Sequence, residues 1–191
     1  MLARCSWCGS DPLYVAYHDT DWGVPEHDPR ALWEKLVLDG FQAGLSWITI
    51  LRKRPAFQQE FDGFDPARVA LWDEARIDRA LTNPGIVRHR GKITATVRSA
   101  NLFQEIEATE GFAPWLWSFV GGAPIQNAWP DMASVPTATP ESTAMSKALK
   151  ARGFNYCGPV ITYAFMQATG MVNDHITSCH RHDAVRALSA G

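Results

Sequence analysis

The stretch Ile77-Asp78-Arg79-Ala80-Leu81, Thr82-Asn83-Pro84-Gly85-Ile86-Val87, Arg88-His89-Arg90-Gly91-Lys92-Ile93 reads as a helix, a tight Pro-Gly turn and a second, basic helix. A turn ending at a helix N-terminus leaves backbone N–H groups unpaired, and these suit a phosphate oxygen. Arg88, Arg90 and Lys92 add positive charge where a nucleic-acid backbone would pass, with Gly85 letting the turn close. A surface αα-hairpin with solvated basic residues has the same pattern. The general DNA-binding hairpin also carries a second glycine after its apolar residue, where this chain has Val87.

On either side the chain reads as helix after helix. Asp28-Pro29 followed by Ala31, Leu32, Trp33, Leu36 and Val37 predicts an amphipathic helix with Asp as cap and Pro at its first position. Residues 43–51 are apolar and run into Arg52-Lys53-Arg54-Pro55, which predicts a helix C-terminus followed by a breaker. Asp65-Pro66 opens a short helix reaching Val69 and Trp72, and residues 73–81 form a polar one. Residues 91–108 predict a long helix with Ile93, Val97, Ala100 and Ile106 on its inner side. Residues 121–140 hold four prolines and read as an ordered loop. Thr139-Pro140-Glu141 caps a helix that stops at Gly153, and a final helix runs from about Val160 to Thr169 before Gly170. Val, Ile and Thr rarely alternate with polar residues, so the fold class is all-α.

With 191 residues, 46% apolar and 20% charged, the composition is that of an ordinary globular protein: one unit, with one core or two small helical lobes sharing it. The net charge of −2 gives no global signature for nucleic acid, so any DNA-binding face is local. The first twenty residues carry Arg4, Asp11 and Asp19 without an apolar segment, so no secretory signal is expected. No run of ~18 apolar residues is present to span a membrane. The expected compartment is cytoplasmic.

Four cysteines in such a chain point to metal more than to disulfides. Candidate ligands are Cys5, Cys8 and His18 near the start and His175, Cys179, His180 and His182 near the end. The spacing His175-x-x-x-Cys179 places two ligands one helical turn apart. Two sulfurs and two imidazoles would close a tetrahedral shell around zinc without room for water, which describes a structural site. Spacing alone does not decide between Cys8 and His18.

Across Tyr17-His18-Asp19, Trp22-Gly23-Val24-Pro25 and Gly40-Phe41-Gln42-Ala43-Gly44-Leu45-Ser46-Trp47 the sequence closely resembles the DNA-3-methyladenine glycosylase I family, the constitutive bacterial type. Further matching stretches are Asp11-Pro12-Leu13-Tyr14, the run from Gly85 to Ile93 quoted above, Leu149-Lys150-Ala151-Arg152-Gly153-Phe154 and Val172-Asn173-Asp174-His175. The resemblance implies a helix-hairpin-helix glycosylase fold, with zinc held by Cys5, His18, His175 and Cys179 and Cys8 left free. It also implies a base pocket lined by Tyr17, Trp22 and Trp47, whose faces would replace the stacking that a flipped purine loses. N3-alkylated adenine in DNA is cationic, so electron-rich rings favour it further. Where the family usually has a glutamate, this chain has Asp39, which keeps the charge but shortens its reach by roughly 1.5 Å. Asp39 is the candidate carboxylate for the damaged base, and Gln42 a partner for its edge.

The implied reaction is hydrolysis of the N-glycosidic bond of 3-methyladenine in alkylated double-stranded DNA, leaving an abasic site. With no lysine marked as a Schiff-base nucleophile, no lyase activity is expected. Gly44 and Leu45 form the expected wedge into the duplex. Two other classes share parts of the pattern: a sensor that binds lesions without cutting, and a zinc hydrolase unrelated to DNA, against which a closed four-ligand site argues. No large apolar stripe predicts a partner subunit, so the expected state is monomeric.

Overall fold

The computed structural model describes residues 2–188, and among these the chain forms ten α-helices and one two-stranded sheet. Helix α1 (Pro12–Thr20) starts where the Asp11 carboxylate accepts hydrogen bonds from the Leu13 and Tyr14 amides, with Pro12 at the first helical position. The same Asp-Pro device opens α2 (Pro29–Gln42) through Asp28 and α4 (Pro66–Val69) through Asp65. Between and after them come α3 (Trp47–Glu60), α5 (Glu74–Ala80) and α6 (Arg90–Thr109). The chain continues with α7 (Phe112–Ser118), α8 (Pro140–Arg152), α9 (Pro159–Ala168) and α10 (Arg181–Leu188). Strands β1 (Ile125–Gln126) and β2 (Val172–Asn173) pair in parallel, Ile125 opposite Val172. The architecture is therefore mostly helical, as expected, with one small sheet besides.

Helix α2 forms the centre. Leu32, Trp33, Leu36, Val37, Leu38 and Phe41 are all buried, and α2 packs on α3, α6, α7 and α9. A helix covered on most sides carries even its carboxylate residue Asp39 into the interior. Helix α6 buries the four residues expected on its inner side, Ile93, Val97, Ala100 and Ile106, together with Phe103. The hairpin joining α5 to α6 is present, but α6 begins only at Arg90, so Arg88 precedes it. His89 caps α6, its Nδ1 accepting from the Lys92 amide at 3.2 Å.

Several elements differ from the sequence reading. Pro55 does not end α3, which continues five residues further to Glu60. A proline inside a helix costs about 3 kcal/mol. Continuing the helix buries Phe57 completely and delivers Phe61 to the core, each worth about 1.5–3 kcal/mol, which offsets that cost. Helices α1, α7 and α10 lie where no helix is expected. Each is short, 9, 7 and 8 residues respectively, too brief for a period to stand out in the sequence. The loop at 121–140 holds β1 and a 3-10 turn, Met132–Ser134, so tertiary pairing orders it.

Candidate functional site

The two chain ends meet at four buried side chains. The Cys5 and Cys179 sulfurs and one nitrogen each of His18 and His175 all lie within 4.8 Å of one another. Cys179 Sγ is 3.5 Å from His18 Nε2 and 3.6 Å from His175 Nδ1, and Cys5 Sγ is 3.7 Å from His175 Nδ1. Sulfur and nitrogen ligands at ordinary metal distances form tetrahedral edges of about 3.6 Å, so this donor set fits a metal ion. The outward ring nitrogens are held as well: His18 Nδ1 faces Asp19 Oδ1 at 2.8 Å, and His175 Nε2 faces the Trp22 carbonyl oxygen at 3.0 Å. Such partners orient imidazoles so that their inner nitrogens offer lone pairs. Hydrogen bonding from Cys5, then from the two imidazoles, draws the Cys179 thiol far below its ordinary value.

The choice left open by spacing falls to His18: the Cys8 thiol instead bonds to the Cys5 carbonyl at 3.2 Å. His175 and Cys179 do not sit on a helix; they bracket a turn in which the Cys179 amide donates to the Ile176 carbonyl. His182, a candidate ligand by position, lies outside the cluster; it is buried, with its Nε2 3.0 Å from the Asn127 carbonyl oxygen. Gly23 makes the approach of His175 feasible. Its φ is 84°, and a Cβ there would lie 3.0 Å from His175 Nε2.

Against this cluster lies a cavity of about 150 Å³ lined by Tyr17, Trp22, Asp39, Gln42 and Trp47, the five pocket residues of the sequence reading. Trp7, Tyr14, Lys35, Met132 and Gln167 join them. The Trp7 ring packs on Tyr14 and Trp22, both at 5.0 Å, and Tyr17 packs on Trp47 at 5.6 Å. Trp22 stands edge-on to His175 at 4.6 Å, so the Cys/His cluster and the pocket share a wall.

Lys35 and Asp39 are one helical turn apart on α2, and Lys35 Nζ lies 2.7 Å from Asp39 Oδ1. The same ammonium sits 3.6 Å from the Trp47 ring centre. Burial pushes the Asp39 carboxyl above its ordinary value and Lys35 below its own, each opposed by attraction to the other. Burial also holds the Tyr17 hydroxyl neutral. Three polar atoms of the lining are buried without a partner: Asp39 Oδ2, Trp7 Nε1 and Trp47 Nε1. Each such atom costs about 1–3 kcal/mol, and all three belong to residues that line this one cavity, which suits it to a polar guest.

Gln167 is positioned from behind. Its amide nitrogen donates to Asp174 Oδ2 at 2.8 Å, leaving its oxygen as acceptor. Asp174 is in turn fixed by Tyr163, Trp129 and Asn127. The i, i+4 spacing to Asp39 was a readable signal for Lys35, and Trp7 and Tyr14 flank the N-terminal ligands. Met132 and Gln167 come from distant segments and carry no local signal.

Leu45 is 42% exposed at the tip of the α2–α3 turn, next to exposed Gly44. Lys92 does not face solvent with the other basic residues: its ammonium donates to the Phe41 and Ala43 carbonyls at 2.9 and 2.7 Å. It caps the C-terminus of α2, whose last carbonyls lack helical partners, and ties the hairpin to the Leu45 turn. Lys53 holds the hairpin from the other side through the Pro84 carbonyl at 2.9 Å. The Gly85 amide, expected to be open to a phosphate, is taken by Asn83 Oδ1 at 2.8 Å. Arg88 is exposed, and exposed Arg90 pairs with Glu74 and Asp78.

Residues 7–182 match the Methyladenine glycosylase family. The chain is 47% identical over 179 residues to DNA-3-methyladenine glycosylase 1 of Escherichia coli (strain K12), covering 93% of this chain and 96% of the relative. A crystal structure of 3-methyladenine DNA glycosylase I superposes with a TM-score of 0.93 at 51% identity, covering 94% of this chain and all of that one. A second, at 38% identity and TM-score 0.90, covers 94% of this chain and 97% of its own; it is a tyrosine-to-phenylalanine variant of a 3-methyladenine DNA glycosylase I in complex with 3-methyladenine. Likeness that spans nearly the whole chain in both sequence and fold has one meaning: the chain belongs to the methyladenine glycosylase family.

Proposed function

We propose that this protein hydrolyses the N-glycosidic bond of 3-methyladenine in alkylated double-stranded DNA, acting as a monomer without lyase activity. The observation that carries the reading is the aromatic cavity lined by Trp7, Asp39 and Trp47, whose Nε1, Oδ2 and Nε1 atoms are buried without partners. Asp39 faces the positive charge of the N3-alkylated base, Tyr17, Trp22 and Trp47 pack its ring, and Gln42 meets its edge. Water adds at C1′ as the C1′–N9 bond breaks, the base leaves uncharged, and one proton is released. Because alkylation already makes the base a good leaving group, binding and desolvating it do most of the catalysis.

Leu45, with Gly44, wedges into the gap left by the flipped nucleotide. Exposed Arg88 and Arg90 meet the phosphates, and the Gly85 turn positions them. Lys92 serves this face as a buried support rather than as a phosphate contact. The metal at Cys5, His18, His175 and Cys179 is zinc in a structural role, holding the chain ends and the Trp22 wall together. The whole chain is one glycosylase unit, with the base pocket between two helical lobes. A cytoplasmic location belongs to this reading, since none of the four cysteines is in a disulfide and the substrate is DNA.

The test is chromatographic release of free base from methylated DNA by the wild type and by Asp39→Asn. Release of 3-methyladenine by the wild type, lowered at least about tenfold in the variant, is expected. A folded wild type that binds the DNA but releases no base would refute the enzymatic reading. An adduct trapped by borohydride on an abasic site would refute the absence of lyase activity.

A further inference from the structure

The ammonium of Lys35 stands where a cationic guest belongs. It touches Asp39 Oδ1 at 2.7 Å and lies 3.6 Å from the centre of Trp47, the carboxylate and the ring that the proposed function assigns to a positively charged base. One ring face and one carboxylate do not accommodate two cations together, because like charges at such separations in a partly dry site repel strongly.

The fold also provides somewhere for the lysine to go. Lys35 and Tyr17 form part of the wall of a second cavity, about 140 Å³, whose lining includes Asp21, Glu26 and Arg54. Arg54 is already engaged with Glu34 at 2.9 Å and with Asp21 at 3.2 Å, and these contacts partly neutralise it. Glu26 and Asp21 therefore offer carboxylates to an ammonium swinging across on a flexible four-carbon stem.

We propose that Lys35 is a resident counter-cation, which a positively charged base displaces into the neighbouring cavity, and that it is a specificity-determining residue of this pocket. This inference rests on the proposed function. A cationic base replaces Lys35 charge for charge on Asp39 and Trp47. A neutral adenine cannot, so Lys35 stays in place and occupies the space the ring needs. Selectivity for the damaged base then arises from an exchange between two cations, and the lysine that enforces it also keeps Asp39 compensated while the pocket is empty.

Calorimetric titration of the full-length protein tests this with two probes: 3,9-dimethyladeninium, a permanent cation, and 9-methyladenine, its neutral counterpart. Lys35→Met is expected to tighten binding of the cation about tenfold and to raise binding of the neutral probe, which Lys35 no longer keeps out, by at least as much. Lys35→Arg, with a larger cation that stacks well on an aromatic ring, is expected to weaken binding of the cation. A folded Lys35→Met protein that binds the cation no tighter than wild type overturns the inference. If that variant does not fold, Lys35→Arg decides, and unchanged or tighter cation binding overturns it. Normal wild-type binding with no dependence on residue 35 removes the inference alone. Binding of neither probe by any form removes the pocket reading and the inference with it.

Discussion

Replacing Gly23 with alanine probes the wall that the Cys/His cluster and the aromatic cavity share. The backbone φ of 84° puts a non-glycine residue in the left-handed region, at a cost of about 1–2 kcal/mol. The added methyl would also stand 3.0 Å from His175 Nε2 and push the ring away. The hydrogen bond from that nitrogen to the Trp22 carbonyl would be lost, at a further cost of about 1 kcal/mol. The sum, about 2–3 kcal/mol, corresponds to a fall in Tm of roughly 5–10 °C for a chain of this size. Gly121→Ala is the control, since Gly121 has φ 71° with nothing within 4 Å of its Cβ position, and it meets the backbone cost alone. Thermal unfolding followed by circular dichroism, with metal content measured on the same samples, is the assay. Gly23→Ala should lose more stability than the control and hold less metal. Equal losses with full metal content would refute the argument that His175 couples the two sites.

Leu45→Ala should leave Tm within about 1 °C, because the side chain is largely exposed, yet slow base release from duplex DNA, measured in single turnover. Unchanged release would remove the wedge. Arg88→Ala should weaken DNA binding and lower the slope of log affinity against log salt by about one, as read by fluorescence anisotropy. Lys92→Ala should act differently, reducing stability by about 1–3 kcal/mol in urea unfolding because two buried carbonyls lose their donor. A Lys92→Ala protein of normal stability with a shallower salt slope would return Lys92 to the phosphates. Elemental analysis should find one zinc per chain. Chelation should abolish activity only as fast as the far-ultraviolet dichroism decays, and instant loss with the fold intact would make the metal catalytic.

The helices that the sequence announced were those with local punctuation. Asp28-Pro29 and Thr139-Pro140 cap their helices from within the chain, and the inner face of α6 follows from its 3.6-residue period. The five cavity-lining residues and the four clustered Cys and His positions were legible through resemblance, since no spacing law links Cys5 to Cys179. Where local rules were outweighed, burial was the cause. Pro55 sits inside α3 because Phe57 and Phe61 have a core to enter, and Lys92 turns inward because the end of α2 presents unpaired carbonyls. The amino-acid order by itself determined the helical class, the hairpin and the chemical types brought to the site. The tertiary structure alone decided that Lys35 rests on Asp39 and Trp47 and that Gln167 is oriented by Asp174. Those outcomes depend on distances between segments far apart in the chain, which local propensity and period do not encode.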